Sequence, residues 1–292
     1  MGWWHPERTR KRRLNSRATR LAGFVVLALA LAGCSTDTKF ERMGFKEIKT
    51  EQGMDILHLW QGAWIALLVT GAVTWALIIG VPIWFRRRSD DEIPVQTRYN
   101  LPIEIFYTIF PIVMVVAFFS QTVRVQDEVM KLDPNPDVVV QVVGQKWTWT
   151  FNYPDSVDTP EGTNAYVASQ GDTFPQLVIP VDQIVEFDLH SPDVIHSFGV
   201  PAFAMRMDVV PGNNNKFQIR ATETGTFDGK CYELCGAYHS RMLFTVKVVT
   251  QAEYDAFLAE LAADPDNHVS EKPVQGGVYS DELITEDGGV HQ

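Results

Sequence analysis

Two long apolar stretches constrain this chain of 292 residues more than any other feature of its sequence. Residues 56–85 contain no Asp, Glu, Lys or Arg. At a helical rise of about 1.5 Å per residue, such a run exceeds the ~30 Å hydrocarbon thickness of a bilayer. Trp60 and Trp64 lie near one end and Trp84 near the other, as interfacial aromatics do. Residues 101–123 form a second span, broken only by Glu104 near its start. The expectation is a two-helix membrane hairpin over 56–123. Excess Lys and Arg mark cytoplasmic loops, so Arg86, Arg87, Arg88 and Arg98 place the short connection inside. Everything after about residue 124 then lies on the extracytoplasmic face.

The N-terminus gives the same orientation independently. A basic stretch from Arg8 to Arg20 precedes a short apolar run, Leu21 to Ala32, which reads as an export signal over residues 1–33. Leu31-Ala32-Gly33-Cys34 resembles the lipobox of bacterial lipoproteins, which implies a lipid on Cys34 and an extracytoplasmic segment over 34–55. An ordinary signal peptide with an incidental cysteine is the alternative.

Charge excludes one class of partner. The chain carries net −11. Residues 1–33 hold seven of the 25 basic groups and one of the 36 acidic groups; without them 18 basic groups face 35 acidic, a net of −17. Such a product does not bind nucleic acid through its phosphates. It would attract a basic partner, or its acids simply keep it soluble.

From Asp137 onward the apolar pattern shifts to period two. Val138–Val143, Leu177–Leu189, Lys216–Ala221 and Met242–Val249 are rich in β-branched residues, and turn residues such as Pro211-Gly212-Asn213-Asn214 separate them. Short strands at these intervals suggest an all-β Greek-key sandwich or barrel over 124–250. Gln251–Ala263 reads as an amphipathic helix, and Asp264–Gln292 as an extended acidic tail, completing a C-terminal segment over 251–292.

The chemistry concentrates in Cys231-Tyr232-Glu233-Leu234-Cys235-Gly236-Ala237-Tyr238-His239-Ser240-Arg241-Met242. This loop packs two thiols, an imidazole and a thioether between expected strands, and His196 supplies a second imidazole from an earlier loop. Such a soft donor set favours copper over magnesium or calcium. The two cysteines alone also fit a disulfide, the usual state outside the cytoplasm, or a structural zinc site. Zinc sites rarely use Met and favour a shorter cysteine spacing, so His239 and Met242 shift the balance towards copper.

C-x-E-x-C-x-x-x-H-x-x-M after a distant D-x-x-H resembles the CuA site of cytochrome c oxidase subunit II, over a span from about Leu57 to Val249. The resemblance implies a cupredoxin-like domain in which His196, Cys231, Cys235, His239 and Met242 hold a dinuclear copper centre. It implies that Glu233 binds one copper through its backbone carbonyl, and that its carboxylate reaches a Mg or Mn ion shared with subunit I. It makes Trp147, in Gly144-Gln145-Lys146-Trp147-Thr148-Trp149, the surface residue that receives electrons from a c-type cytochrome. It makes Glu104 the mouth of a proton pathway into the haem–copper subunit I. The relatives that oxidise quinol lack the copper ligands present here.

Several assignments have bland alternatives. Trp147 and Trp149 share one face of a period-two strand, and Trp149 reads as packing. Lys146 stands where the family usually has Gln. Asp193 reads either as an acid facing the cytochrome or as a turn former after Pro192. For Glu104 the alternative is a carboxylate snorkelling at the membrane interface. His190, Met205 and Met207 read as strand or packing residues, and His268 and His291 fall in the tail.

Overall fold

The computed structural model describes residues 38–89, 96–154, 163–168, 174–263 and 268–270. The signal segment and Cys34 lie outside the described residues. Residues 1–44 and 45–292 form two separate units. The described part of the first is a short turn closed by reciprocal bonds between Thr38 and Glu41: the Thr38 hydroxyl donates to Glu41 Oε2 at 2.8 Å and accepts the Glu41 N–H at 3.2 Å.

The second unit begins with the helix hairpin. α1 runs Glu51–Trp84 and α2 runs Leu101–Val129. α1 starts five residues before the uncharged stretch because Thr50 caps it, its hydroxyl accepting the Gly53 N–H at 3.1 Å. The same hydroxyl donates to the Phe203 carbonyl at 2.9 Å, so the cap also fastens the helix to the β-domain. Both helices are apolar and long enough to cross a membrane, with their most hydrophobic windows unburied by the chain itself.

Eleven strands follow among the described residues. One six-stranded sheet contains β1 (Val138–Gln145), β2 (Thr148–Tyr153), β3 (Thr163–Ala168), β5 (Ile184–His190), β8 (Asn215–Arg220) and β11 (His268–Ser270), in the order β11-β3-β2-β1-β5-β8. The five-stranded sheet orders β4 (Gln176–Pro180), β10 (Leu243–Val249), β9 (Gly225–Cys231), β6 (His196–Val200) and β7 (Met205–Val209). β1 to β3 form a meander, and β5 then returns beside β1 in parallel register. This is the hairpin plus all-β sandwich expected from the sequence.

Leu177–Leu189, a single β-rich run in the sequence, is two strands in two different sheets. Pro180 ends β4, and Asp182 takes a left-handed backbone (φ 59°) at the turn, so the chain crosses the sandwich before β5 begins. The acidic tail is likewise not wholly irregular: His268–Ser270 pairs with Thr163–Ala165 and covers the β3 edge.

Odd-numbered residues of β2 and β5 point inward, and aromatics fill the space between the sheets. Trp149, Phe151, Phe187, Phe198, Phe217 and Phe244 are all buried, and Phe198 stacks on Phe244 with ring centroids 4.8 Å apart. α3 (Gln251–Ala263) buries Tyr254, Leu258 and Leu261, spaced at i, i+4 and i+7 on one face. It closes one end of the sandwich, where Phe257 meets Tyr153 edge-on at 5.6 Å.

Both chain crossings between hairpin and β-domain are pinned. The Gln52 side chain accepts the Arg220 N–H at 3.0 Å. Just past α2, the Asp133 backbone and the Gln218 amide exchange two bonds of 2.7 and 2.9 Å. The sandwich therefore stands on the hairpin through several independent bonds rather than through a loose linker.

Tyr153 ties the sheets together: its hydroxyl accepts from the Val178 N–H at 3.0 Å and donates to the Val178 carbonyl at 3.2 Å. Tyr153→Phe should leave both buried backbone groups unpaired and cost about 1–3 kcal/mol in chemical denaturation. An unchanged midpoint would show that the bridge carries no stability.

Candidate metal centre

Five backbone positions converge at one end of the sandwich. Cys231 is the last residue of β9 and His196 the first of β6, and these strands are hydrogen-bonded neighbours. Cys235 lies in the following loop, His239 opens a single 3-10 turn, and Met242 immediately precedes β10. The Cys231 N–H donates to the Met242 carbonyl at 3.0 Å, which closes the loop at its base. Sequence neighbours thus become spatial neighbours because β9 and β10 pair antiparallel on either side of them.

The donor atoms approach each other closely. Cys231 Sγ lies 3.9 Å from His196 Nδ1 and 3.9 Å from Cys235 Sγ. Cys235 Sγ lies 3.6 Å from His239 Nδ1 and 3.8 Å from Met242 Sδ. Cys231 Sγ also lies 3.3 Å from the Glu233 carbonyl oxygen, while the Glu233 side chain is exposed. His196 and Met242 are 0% exposed, and both cysteines are buried.

The cysteines are free thiols. Their separation is nearly twice the ~2.05 Å of a disulfide. Tetrahedral first-row sites have bonds of about 2.3 Å to sulfur and about 2.0–2.1 Å to nitrogen, which sets neighbouring donors roughly 3.3–3.8 Å apart. Donors spaced as these are suit a shared metal centre, and the absence of a carboxylate among them suits copper.

The electrostatics favour a cation. Burial pushes both thiols up. For Cys231, hydrogen bonds from His196 and the Ser197 backbone outweigh burial and bring the thiol down to about 7. Cys235 is pushed up to about 12, by burial first and then by the charge on Cys231 beside it. Burial also opposes charge on His196, but the Asp193 carboxylate and Cys231 more than offset this and make the ring more basic than a free imidazole.

Asp193 holds that ring. Its Oδ1 lies 2.8 Å from His196 Nε2, which leaves Nδ1 facing the sulfurs. Oδ1 also accepts the Val194 N–H at 2.6 Å, and Oδ2 accepts the Lys146 N–H at 2.8 Å. Burial raises this carboxyl, but its bonds to His196 and to backbone N–H groups bring it below the usual range. Asp193 thus links the His196 ring to the turn that carries Trp147.

The structure corrects the placement of Trp147. Gln145 pairs with Thr148, so Lys146 and Trp147 form a two-residue turn between β1 and β2 rather than a strand. Trp147 therefore does not share a strand face with Trp149. Trp149 is buried in the core, with its indole N–H 3.4 Å from the Met242 carbonyl. Trp147 is half-buried at the loop, and its indole N–H donates to the Cys235 carbonyl at 3.3 Å.

Two residues passed over in the sequence complete this contact. Tyr238 meets Trp147 edge-on at 4.9 Å. Gly236 has φ 127°, and a Cβ there would come within 3.0 Å of Trp147 Nε1. The glycine directly after Cys235 was the available signal.

Glu104 lies elsewhere, in the first turn of α2. Its carboxylate accepts the Asn100 N–H at 2.9 Å while the Asn100 side chain caps Ile103, so here it closes the helix start. His190 pairs with Asp188 at 3.2 Å on the outer face of the six-stranded sheet.

Comparison with known proteins gives the family of the chain. Residues 138–249 match the family described as cytochrome c oxidase subunit II, periplasmic domain. A probable cytochrome c oxidase subunit 2 of Streptomyces avermitilis is 42% identical, covering 88% of this chain and 89% of its own length. The chain belongs to the cytochrome c oxidase subunit II family. The cytochrome c oxidase subunit 2 of Corynebacterium glutamicum is 30% identical across 97% of this chain and 98% of its own. The periplasmic domain of subunit II of cytochrome oxidase from Bradyrhizobium japonicum superposes with a TM-score of 0.40 at 28% identity, covering 44% of this chain and 96% of that one. As a member of this family the chain is a component of an oxidase complex, and family membership implies copper.

Because Cys235 holds its proton well above neutral pH, copper uptake should release protons, and copper affinity should weaken as the pH falls. Calorimetry in buffers of different ionisation enthalpy measures this directly. Uptake without proton release would mean that the thiols are not the ligands.

Proposed function

We propose that this subunit accepts electrons from a c-type cytochrome on the extracytoplasmic side of a bacterial membrane and passes them to haem in subunit I, where oxygen is reduced to water. The observation that carries the reading is the convergence of His196, Cys231, Cys235, His239 and Met242, with both thiols free. These residues would hold a dinuclear CuA centre, with the Glu233 carbonyl as a further weak ligand. Bound there, the copper pair would take up and release one electron shared between two metals with little change in bond length.

The chain's own residues do the rest. Burial of His196, Cys231, Cys235 and Met242 keeps water from the candidate ligands and limits reorganisation around the centre. Asp193 fixes the orientation of His196 and raises its basicity as a ligand. Trp147 offers a half-exposed indole joined by one hydrogen bond to the backbone of Cys235, a short covalent and hydrogen-bonded route to a ligand sulfur. The exposed Glu233 side chain is free to reach a Mg or Mn ion shared with subunit I. Glu104, at the inner end of the hairpin, would open a proton-uptake pathway into subunit I; an ionisable group at that depth is a functional candidate by default. The hairpin packs against the other oxidase subunits, and a lipid on Cys34 would add a second attachment to the membrane.

Cys231→Ser should abolish the copper chromophore and turnover while the membrane complex still assembles; retained turnover would reject the ligand set. Trp147→Phe should keep the chromophore and slow donor oxidation by roughly ten-fold or more, equivalent to about 1.4 kcal/mol. Donor oxidation at the wild-type rate would remove Trp147 from the route. Glu104→Gln should slow steady-state oxygen consumption and leave the first reduction of the copper centre by donor unchanged. Equal turnover of the two proteins would reduce Glu104 to its helix-capping role.

A further inference from the structure

The charge around Trp147 does not follow the charge of the chain. The sequence carries net −11, and a uniformly acidic surface would draw a basic partner. The acid beside the Trp147 turn is not available for that purpose. The Asp193 side chain is 17% exposed, and both its oxygens are occupied, Oδ1 by His196 and the Val194 N–H and Oδ2 by the Lys146 N–H. The last bond holds the turn whose exposed side chain is the cation Lys146.

A second cation, Arg241, lies three residues past Tyr238 in the loop that packs on the indole. Tyr238 packs against Trp147, and its carbonyl accepts the N–H of Arg241 at 2.9 Å in the same short turn; the Arg241 side chain is exposed. Among the described residues, neither Lys146 nor Arg241 forms an ion pair. The site loops around them also expose large apolar side chains: Ile195 at 45%, Leu234 at 77% and Tyr238 at 52%. The remaining exposed acid of the metal loop is Glu233, which the reading above assigns to the contact with subunit I. The surface at Trp147 is thus apolar with cations at its margin.

We propose that this rim docks an acidic c-type cytochrome, one that presents an apolar haem edge flanked by Asp and Glu. The proposal rests on the electron-accepting role of the centre and specifies the partner's charge. Apolar contact would supply the close approach that electron transfer needs. Lys146 and Arg241 would steer encounter and set its orientation, an effect that weakens with ionic strength.

The test uses the intact oxidase complex and stopped-flow reduction of its copper centre by two c-type cytochromes, one with an acidic and one with a basic surface, over a range of ionic strength. The acidic cytochrome should react faster at low salt and slow as salt rises, and the basic one should show the opposite slope. A Lys146→Glu, Arg241→Glu double variant should lower the low-salt rate with the acidic cytochrome by about ten-fold to a hundred-fold and reverse its salt slope. The copper EPR spectrum of the variant checks that the centre is intact. Faster reduction by the basic cytochrome at low salt, or a double variant with an unchanged salt slope, overturns the proposal and leaves the electron-accepting role standing. Failure of both cytochromes to reduce a centre that a small inorganic reductant does reduce overturns that role and this proposal with it.

Discussion

Two buried thiols 3.9 Å apart cannot both carry negative charge unless a cation lies between them. The rest of the β-domain keeps that situation in place. β9 delivers Cys231 and β10 resumes at Leu243, and their antiparallel pairing forces the intervening residues to fold back on themselves. β6 brings His196 to the same point as the neighbour of β9. A metal held between the sulfurs, as proposed above, would remove the repulsion between them.

Rigidity follows from packing. The stacked and edge-on aromatics between the sheets leave the strand ends little freedom, and Trp149 reaches from that core to the backbone of Met242. Asp193 extends the same stiffness to the surface by holding His196 and the Lys146–Trp147 turn with one carboxylate. The double fastening of the hairpin, through Thr50 and Gln52 on one side and Asp133 with Gln218 on the other, fixes the height of the centre above the helices. The proposed transfer to haem in subunit I would need this kind of mounting, because the distance between the two centres must be held.

Much of this was readable in the sequence because the signals were local or strongly periodic. The helices announce themselves by length and lack of charge. The cysteine loop carries four of the five candidate side-chain donors within twelve residues, inside the stretch 138–249 that matches the oxidase family. What the sequence hid was long-range or conformational. Leu177–Leu189 looks continuous because inward and outward residues alternate straight through the Asp182 turn, and only the sheet partners reveal the crossing. Trp147 and Trp149 sit two apart, which reads as one strand face until the Gln145–Thr148 pairing exposes the turn. Asp193 could not be assigned, because a turn acid and a docking acid look the same before its bonding partners are known. The short strand at His268–Ser270 gave almost no signal in a stretch of polar and acidic residues, since its pairing with β3 is what orders it.

Electron paramagnetic resonance of the copper-loaded, detergent-purified protein tests the central claim most directly. If the five sulfur and nitrogen donors grip one dinuclear centre, the spectrum should show a single unpaired electron coupled equally to two copper nuclei, with two coppers bound per chain. Hyperfine structure from one copper nucleus alone, at one copper per chain, would contradict the account.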